Sequence, residues 1–220
     1  VRMAVGKATV SAQLERKKIP VEPTALVIGG GIAGMRSALA ISEMGYRAVL
    51  VEKSGRLGGN ALNLSSTFGG RPMQHYVRKI INDVVSNERI NVFLNTEIEK
   101  IDGYVGNFTT SLKTGNVITP IKHGAVVVAI GAREQKPGEY LYGESPRVIT
   151  QLELDRSLLE GGAGLEGFKN VVMIQCAGSR EEGRMYCSRV CCNQALRNAI
   201  ALRRIDPEAS ITILYRDMRS

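Results

Sequence analysis

The sequence predicts an α/β fold in which a Rossmann-like dinucleotide-binding domain with an antiparallel β crossover is followed by the start of a second βαβ unit. Three observations predict it: a strand–glycine–helix–strand pattern near the start, hairpin-like segments in the middle, and another strand–helix–strand pattern near the end. They divide the 220 residues into an arm, a dinucleotide-binding domain and a partial second unit, over residues 1–23, 24–150 and 151–220.

The first unit carries a dinucleotide fingerprint. A short apolar strand, Ala25–Ile28, runs into a G-x-G-x-x-G turn that opens a helix predicted over Ala33–Met44 and ended by Gly45. In such a turn the first glycine permits the tight bend, the second lets the backbone approach a pyrophosphate, and the third lets helix and strand pack closely. Here those three positions are Gly29, Gly31 and Gly34.

The second predicted strand ends at an acidic residue. Ala48–Val51 is a continuous apolar run, and Glu52 follows it at the spacing that suits hydrogen bonding to a ribose hydroxyl. Because strand, glycines, helix, strand and acid occur in register, they predict a nucleotide site much more strongly than the glycines alone. The pyrophosphate would then lie on the free N–H groups at the helix N-terminus.

The residues that follow resemble the two-dinucleotide-binding flavoproteins of the thioredoxin reductase type. The pattern V-E-K-x-x-x-x-G-G, three hairpin-like segments between residues 99 and 121, and the run Ala125–Ile130 before Gly131-Ala132-Arg133 all match that class. The resemblance implies FAD as the cofactor. It also implies a set of binding positions along the glycine turn, the acid, the paired glycines and the last strand end: Gly29, Gly31, Ile32, Ala33, Gly34, Glu52, Lys53, Gly58, Gly59, Asn60, Ala129 and Gly131.

All four cysteines lie between residues 176 and 192, at Cys176, Cys187, Cys191 and Cys192. Four thiolates can ligate a 4Fe–4S cluster or a closed zinc site. A helix predicted over Ser188–Arg204 would place Cys187 and Cys191 on one face of its first turn. A structural zinc site, a Cys176–Cys187 disulfide and buried inert thiols are the alternatives. The absence of C-x-x-C pairs disfavours zinc, and the absence of an apolar leader disfavours a disulfide. The residues therefore favour the cluster.

The cysteines interrupt the second βαβ pattern, which consists of strand Asn170–Ile174, the same helix, and strand Ile211–Tyr215. A pyridine-nucleotide domain would carry a glycine loop after its first strand, but this chain has Cys176-Ala177-Gly178-Ser179-Arg180 there. We therefore expect a metal cluster where a nicotinamide nucleotide would otherwise bind. The helix is expected to expose one basic face, formed by Arg197, Arg203 and Arg204.

The runs I-Q-C-A-G-S-R and Y-C-S-R-V-C-C resemble the A-type subunit of heterodisulfide reductase. The resemblance implies an oxidoreductase subunit in which the four cysteines ligate a 4Fe–4S cluster near FAD. It further implies electron exchange with a hydrogenase or formate dehydrogenase subunit, ferredoxin and B/C-type heterodisulfide reductase subunits, with a flavin implicated in electron bifurcation. The alternatives are a quinone-interacting subunit of sulfate reducers and a non-redox nucleotide-binding module with structural zinc. The family protein is longer, so this fragment is expected to be inactive alone.

Composition excludes other classes. The net charge of +8 comes without a nucleic-acid motif, and no apolar run approaches the roughly twenty residues of a membrane span. No hydrolytic constellation occurs, and no residue is assigned a catalytic role. His75 is expected on the surface and His123 in a structural role. The arm, with Lys7, Arg16, Lys17 and Lys18, is expected to be helical, and the protein is expected to be cytoplasmic.

Overall fold

The computed structural model describes residues 1–12, 18–162, 165 and 167–219. Five α-helices and nine strands are formed by these residues, together with one 3₁₀ helix. In chain order they are α1 Arg2–Val10, β1 Thr24–Ile28, α2 Ile32–Glu43, β2 Arg47–Val51, the 3₁₀ helix Gly59–Asn63, α3 Met73–Val85, β3 Ile90–Phe93, β4 Thr96–Tyr104, β5 Asn107–Thr114, β6 Val117–His123, β7 Ala125–Val128, α4 Gln151–Leu159, β8 Asn170–Ile174, α5 Cys191–Ile205 and β9 Ser210–Leu214.

The dinucleotide-binding fold is built on a parallel sheet in the order β3-β2-β1-β7. Successive residues of β1 face opposite layers: Val27 belongs to a core formed with α2 and α3, whereas Leu26 packs with Leu112 of β5. The sheet is therefore covered by helices on one face and by the β4-β5-β6 sheet on the other. Burial on both faces explains why β1 and β2 are apolar at every position after the first rather than alternating.

The antiparallel crossover predicted from the hairpin-like segments is confirmed. β4 pairs with β5 and β5 with β6, and the tight turn between the first pair joins Tyr104 to Asn107. Gly106 in that turn has φ of +91°, a conformation that glycine adopts without steric cost. The three-stranded sheet ends at His123, which leads through Gly124 into β7 and so returns the chain to the parallel sheet.

The second unit consists of the parallel pair β8 and β9, joined through α5, with α4 packed beside α5. Its core contains Leu154 of α4, Met173 of β8, and Ala195 and Leu202 of α5. α4 is an additional helix beyond the predicted elements, and Thr150 and Glu153 form a capping box at its start. This unit positions the cysteine loop, residues 175–190, above the carboxyl end of β8.

Two expectations for the second unit are wrong. The helix predicted from Ser188 begins at Cys191, so Cys187 precedes it and does not share a helical face with Cys191. Arg189 has φ of +59°, which breaks the helical path just before Val190. Arg197 is only 8% exposed and pairs with Asp155, so it does not join the exposed Arg203 and Arg204 in a solvated face.

The arm is helical where the structure describes it at the start, since α1 covers Arg2–Val10 and buries none of its residues. Arg16 and Lys17 lie outside the described residues. Pro20 and Glu22 then contact the crossover sheet: the carbonyl of Pro20 accepts from Asn107, and the Glu22 N–H donates to Gly106. In the part of the chain that the structure describes, none of the helices is both long and apolar enough to cross a bilayer.

Acid is expected to destabilise the fold through His123. The ring is fully buried, with Nε2 2.7 Å from the Thr110 hydroxyl and Nδ1 3.1 Å from the Ala125 carbonyl. Burial lowers the pKa of His123 below its ordinary value of 6.5, outweighing the carbonyl contact, which raises it. Below that pH the unfolded chain binds a proton that the folded chain excludes, so stability falls by up to about 1.4 kcal/mol per pH unit.

The measurement is the free energy of unfolding by urea between about pH 7.5 and pH 5.5. We expect His123→Gln to flatten the pH dependence, and the same change at the exposed His75 to leave it as in the parent chain. An equal pH dependence in the parent chain and His123→Gln would contradict the assignment.

Candidate functional site

The candidate site lies at the carboxyl ends of the parallel strands. β1 is paired with β2 on one side and β7 on the other, although β7 comes about a hundred residues later in the chain. From β1 the chain leads through α2 to β2 on one side, and it re-enters the sheet on the other side at β7. A crevice therefore opens at the carboxyl ends of β1 and β7, which is where open α/β sheets bind their ligands. The sequence-predicted turn Gly29–Gly34 lies at this crevice, between the end of β1 and the start of α2.

Two glycines of the turn are required by packing. Gly29 has φ of +110°, and a Cβ there would clash with the carbonyl oxygen of Ala129 at the end of β7. A Cβ at Gly34, on the first turn of α2, would clash with the carbonyl oxygen of Gly29. Because both clashes are with backbone atoms, neither can be relieved by a side-chain rotation. These glycines bring α2, β1 and β7 together.

Gly31 differs from them because a Cβ built on it meets nothing within 4 Å. It is the N-cap of α2, with φ of −75° and ψ of −178°, a conformation open to any residue. Ile32 and Ala33 form the first turn of α2, where backbone N–H groups have no intrahelical acceptor. The absence of a side chain at Gly31 thus leaves open space in front of anion-binding N–H groups, as a pyrophosphate site requires.

The paired glycines pack directly against this turn. The Gly58 N–H donates to the Gly30 carbonyl over 2.8 Å, and Gly31 and Gly58 form an isolated bridge. A Cβ at Gly59 would lie 3.1 Å from the Cα of Gly31. Gly58 and Gly59 both have positive φ, of +113° and +53°, so the close approach and the backbone path both favour glycine.

Glu52 is at the end of β2, half-buried, with its carboxylate turned toward the glycine turn. One oxygen accepts from the Gly30 N–H at 2.7 Å, and the other accepts from the N–H and hydroxyl of Ser54, each at 2.8 Å. Burial raises the pKa of this carboxyl, but the hydrogen bonds from Ser54 and Gly30 and the charge of Lys53 outweigh it and hold the pKa below its ordinary value. Glu52 is therefore an ionised acceptor at neutral pH, and Lys53 beside it is exposed.

The far side of the crevice is formed by the chain leaving β7. Ala129 hydrogen-bonds back to Ile28, and Gly131 has φ of +66° with open space around its Cα. Asn60, directly after the paired glycines, donates from its side chain to the carbonyl of Ala132 over 2.8 Å. The structure thus brings the glycine turn, Glu52, the paired glycines and the end of β7 together, with Asn60 linking the two sides of the crevice.

The cysteine loop lies against the same outgoing segment. A Cβ at Gly178, two residues after Cys176, would lie 3.3 Å from the side-chain amide of Gln135. Gln135 is three residues beyond Ala132. The loop therefore contacts the strand-end segment that lines the predicted nucleotide crevice.

The Cys192 thiol is buried, and two other cysteines influence its protonation. Burial raises the pKa of the Cys192 thiol, and the nearby Cys191 and Cys176 raise it further, against a backbone N–H of Arg219 that lowers it. The Cys187 sulfur accepts a hydrogen bond from the Arg189 N–H at 3.3 Å. Across residues 1–12, 18–162, 165 and 167–219, no group of three or more histidine, cysteine or acidic side chains is arranged to hold a metal ion. All four cysteines have free thiols.

Comparison with known proteins decides the family. A sequence profile described as pyridine nucleotide-disulphide oxidoreductase matches residues 23–156, which is more than half of the 220-residue chain. The chain belongs to this family. Members of the pyridine nucleotide-disulphide oxidoreductase family are oxidoreductases, and FAD is their cofactor. The crevice described above fits that cofactor in its open space at Gly31, its N–H groups and its ionised acid.

The curated relatives carry a more specific name. The A-type subunit of the H(2):CoB-CoM heterodisulfide,ferredoxin reductase of Methanothermobacter thermautotrophicus is 28% identical, aligned with 100% of this chain and 47% of its own. The second of two A-type iron-sulfur subunits of the CoB–CoM heterodisulfide reductase of Methanopyrus kandleri is 29% identical with the same coverage. These relatives confirm the resemblance predicted from the cysteine motif. The chain spans about half of their length.

Among solved structures, L-proline dehydrogenase from P. horikoshii is similar in fold. The match has a TM-score of 0.51 at 16% identity and covers 91% of this chain and 36% of that one. At that identity it supports the predicted flavoprotein-type fold and nothing about the reaction.

The cysteine loop of this oxidoreductase chain fits an iron–sulfur cluster in the kind and number of its ligands. Thiolates are the usual ligands of such clusters, and all four cysteines occur in this one loop and helix start. The side chain of Gln175, next to Cys176, is 6% exposed, and its Nε2 has no hydrogen-bond partner among the described residues. A buried N–H without an acceptor next to Cys176 could donate a hydrogen bond to the sulfur atoms of a cluster bound there.

A buried polar network beside α5 is not predicted by any pattern in the sequence. Asp155 of α4 is fully buried and accepts hydrogen bonds from Ser65, Gln194 and Arg197. The single local signal was the capping box at Thr150, which predicts a helix there but not the partners of its fifth residue. The acceptor and its arginine are 42 residues apart, so only the folded chain brings them together.

Proposed function

We propose that this chain is the FAD- and 4Fe–4S-binding part of an electron-transfer subunit in a heterodisulfide-reductase-like complex. Residues 24–150 hold FAD and residues 151–220 hold the cluster through Cys176, Cys187, Cys191 and Cys192. When bound, the flavin exchanges electron pairs and the cluster exchanges single electrons. The chain itself binds, orients and separates these groups.

One observation carries the proposal. The cysteine loop packs on the segment that leaves the nucleotide crevice, through the close approach of Gly178 to Gln135. The same segment contacts the paired-glycine loop through the hydrogen bond from Asn60 to Ala132. A cluster ligated in this loop would therefore be a near neighbour of a flavin bound in the crevice, as electron transfer between the two requires.

The roles of the residues follow from their positions. Gly31 and the first N–H groups of α2 bind the diphosphate, and Glu52 accepts from the ribose while it holds the glycine turn through Gly30. Gly58 and Gly59 let a second stretch of backbone reach the same diphosphate. The Arg180 guanidinium, which is paired with Asp217, lies 4.0 Å from the Cys176 sulfur and can donate a hydrogen bond to this ligand.

The partners belong to the proposal as well. The names of the relatives mention ferredoxin, H(2), formate and the CoB-CoM heterodisulfide. We propose exchange with ferredoxin, with a hydrogenase or formate dehydrogenase subunit, and with B/C-type subunits that reduce a disulfide, in the cytoplasm. Electron bifurcation at the flavin is part of the same proposal.

The test is the metal and flavin content of the chain after anaerobic purification and reconstitution with iron, sulfide and FAD. We expect about four irons per chain, the content of one 4Fe–4S cluster. Cys187→Ser and Cys192→Ser are each expected to lose most of the iron, because serine is a poor ligand for a soft metal site. Met185→Ser is the matched control, since Met185 is 86% exposed in the same loop, and it should retain the iron.

One zinc per chain without iron, persisting after reconstitution, would replace this proposal with a nucleotide-binding module holding structural zinc. Iron that survives in both cysteine variants would show that the ligands lie elsewhere. FAD content measured on the same samples separates loss of the cluster from loss of the flavin.

A further inference from the structure

Asp155 joins three separate parts of the molecule. One carboxylate oxygen accepts from both the N–H and the hydroxyl of Ser65, each at 3.0 Å. The other accepts from the Gln194 side chain at 2.9 Å and from the guanidinium of Arg197. The carboxylate is fully buried, and each of its oxygens has two donors. A buried carboxylate with four donors is held in one orientation, because any rotation breaks hydrogen bonds that water cannot replace.

The two ends of this network lead to the two predicted cofactor sites. Ser65 follows the 3₁₀ helix Gly59–Asn63, which begins at the second of the paired glycines, and Arg156 contacts the same helix through Asn63 at 3.3 Å. Gln194 lies on the first turn of α5, two residues after Cys192. Asp155 thus links the paired-glycine loop to α5 directly through hydrogen bonds.

We propose that Asp155 is a positioning residue. It fixes the position of α5, which bears Cys191 and Cys192, relative to the paired-glycine loop. The inference rests on the proposed function, because it assigns the distance between the two cofactor sites to one side chain. Asp155 touches neither cofactor site itself. It acts through Ser65 on the flavin side and through Gln194 and Arg197 on the cluster side.

The chain offers a way to separate positioning from stability. Asp155→Asn keeps the shape of the side chain but removes the charge and replaces one acceptor oxygen with a donor. Depending on how the amide is oriented, that donor faces either the Ser65 N–H or the Gln194 and Arg197 side chains. Leu202→Ala removes apolar packing from α5, the helix that carries Gln194 and Arg197, at a residue that is 1% exposed and outside the network. Both variants lower stability, so a merely structural role of Asp155 predicts the same secondary effects in each.

The experiment compares the two variants and the parent chain at a temperature at which all three are folded. Amide hydrogen exchange is measured at residues 58–65, and FAD affinity is measured by flavin fluorescence titration. In Asp155→Asn we expect faster exchange confined to this loop and to the start of α5, and FAD binding weakened about tenfold. In Leu202→Ala we expect exchange at residues 58–65 and FAD affinity as in the parent chain.

The inference is overturned if Asp155→Asn affects the loop and the FAD affinity no more than Leu202→Ala does. If the parent chain takes up no FAD, the proposed function fails on that point. The exchange measurement still decides the positioning role, because it needs no cofactor: faster exchange at residues 58–65 in Asp155→Asn alone supports it.

Discussion

Arg197→Met is expected to lower the free energy of unfolding by about 3–5 kcal/mol, the usual cost of removing one member of a buried ion pair. The guanidinium of Arg197 is paired with the fully buried Asp155, and its own residue is 8% exposed. Without it the carboxylate keeps its neutral donors, Ser65 and Gln194, but loses the only charge that compensates its own within the described network. Because methionine fills much of the volume of the arginine side chain, the loss of unfolding free energy measures the missing charge rather than a cavity.

Arg203→Met is the matched control on the same helix. Arg203 is exposed and donates to the carbonyl of Ala209 over 2.8 Å, and losing that hydrogen bond should cost about 1 kcal/mol. Urea unfolding of both variants at one pH measures the difference. Equal losses in the two would mean that the buried pair does not contribute as described.

A double variant, Asp155→Leu with Arg197→Met, sharpens the result. Replacing both charges with apolar side chains removes the cost of burying them, so we expect it to be more stable than Arg197→Met alone. It also leaves the Ser65 N–H without its acceptor, which keeps it below the parent chain. This order of stabilities distinguishes an uncompensated charge from a general loss of packing in α5.

The contrast between Arg197 and Arg203 shows what the sequence could and could not predict. Both occur in a helix with no local mark that separates them, and the partner of Arg197 is 42 residues earlier. The start of α5 was misplaced for a related reason: Arg189 adopts a left-handed conformation that the residue type does not suggest. Contacts between residues far apart in the chain cannot be predicted from a local sequence pattern. The same is true of a left-handed backbone conformation at a residue type that rarely adopts it.

The dinucleotide fold was predictable because its signals are local and chemically demanding. β1, α2 and β2 lie within one residue of their predicted bounds, and α2 stops just before Gly45, whose φ of +89° suits the residue that follows a helix. The glycines at positions 29 and 34 could be recognised from the sequence because the packing there leaves no room for a Cβ beside the neighbouring carbonyl oxygens. The capping box of α4 was equally local and could have been found from Thr150 and Glu153.

Gly31→Ala and Gly34→Ala are expected to fail in opposite ways, although the two glycines belong to one motif. At Gly31 a Cβ meets nothing in the protein within 4 Å and the backbone angles suit alanine. The methyl group would instead occupy the space into which the diphosphate must approach. We expect FAD affinity to fall at least about a hundredfold, or about 3 kcal/mol, with little change in melting temperature.

At Gly34 the methyl group would clash with the Gly29 carbonyl oxygen, so α2 could not pack on β1 and the chain should fail to fold. Gly138→Ala is the control, because its Cβ also meets nothing within 4 Å and the residue lies outside the crevice. Thermal unfolding of the three variants tests the packing role of Gly34, and flavin titration tests the binding role of Gly31. FAD binding by Gly31→Ala as tight as in Gly138→Ala would place the diphosphate elsewhere, because alanine at Gly31 alters only that open space.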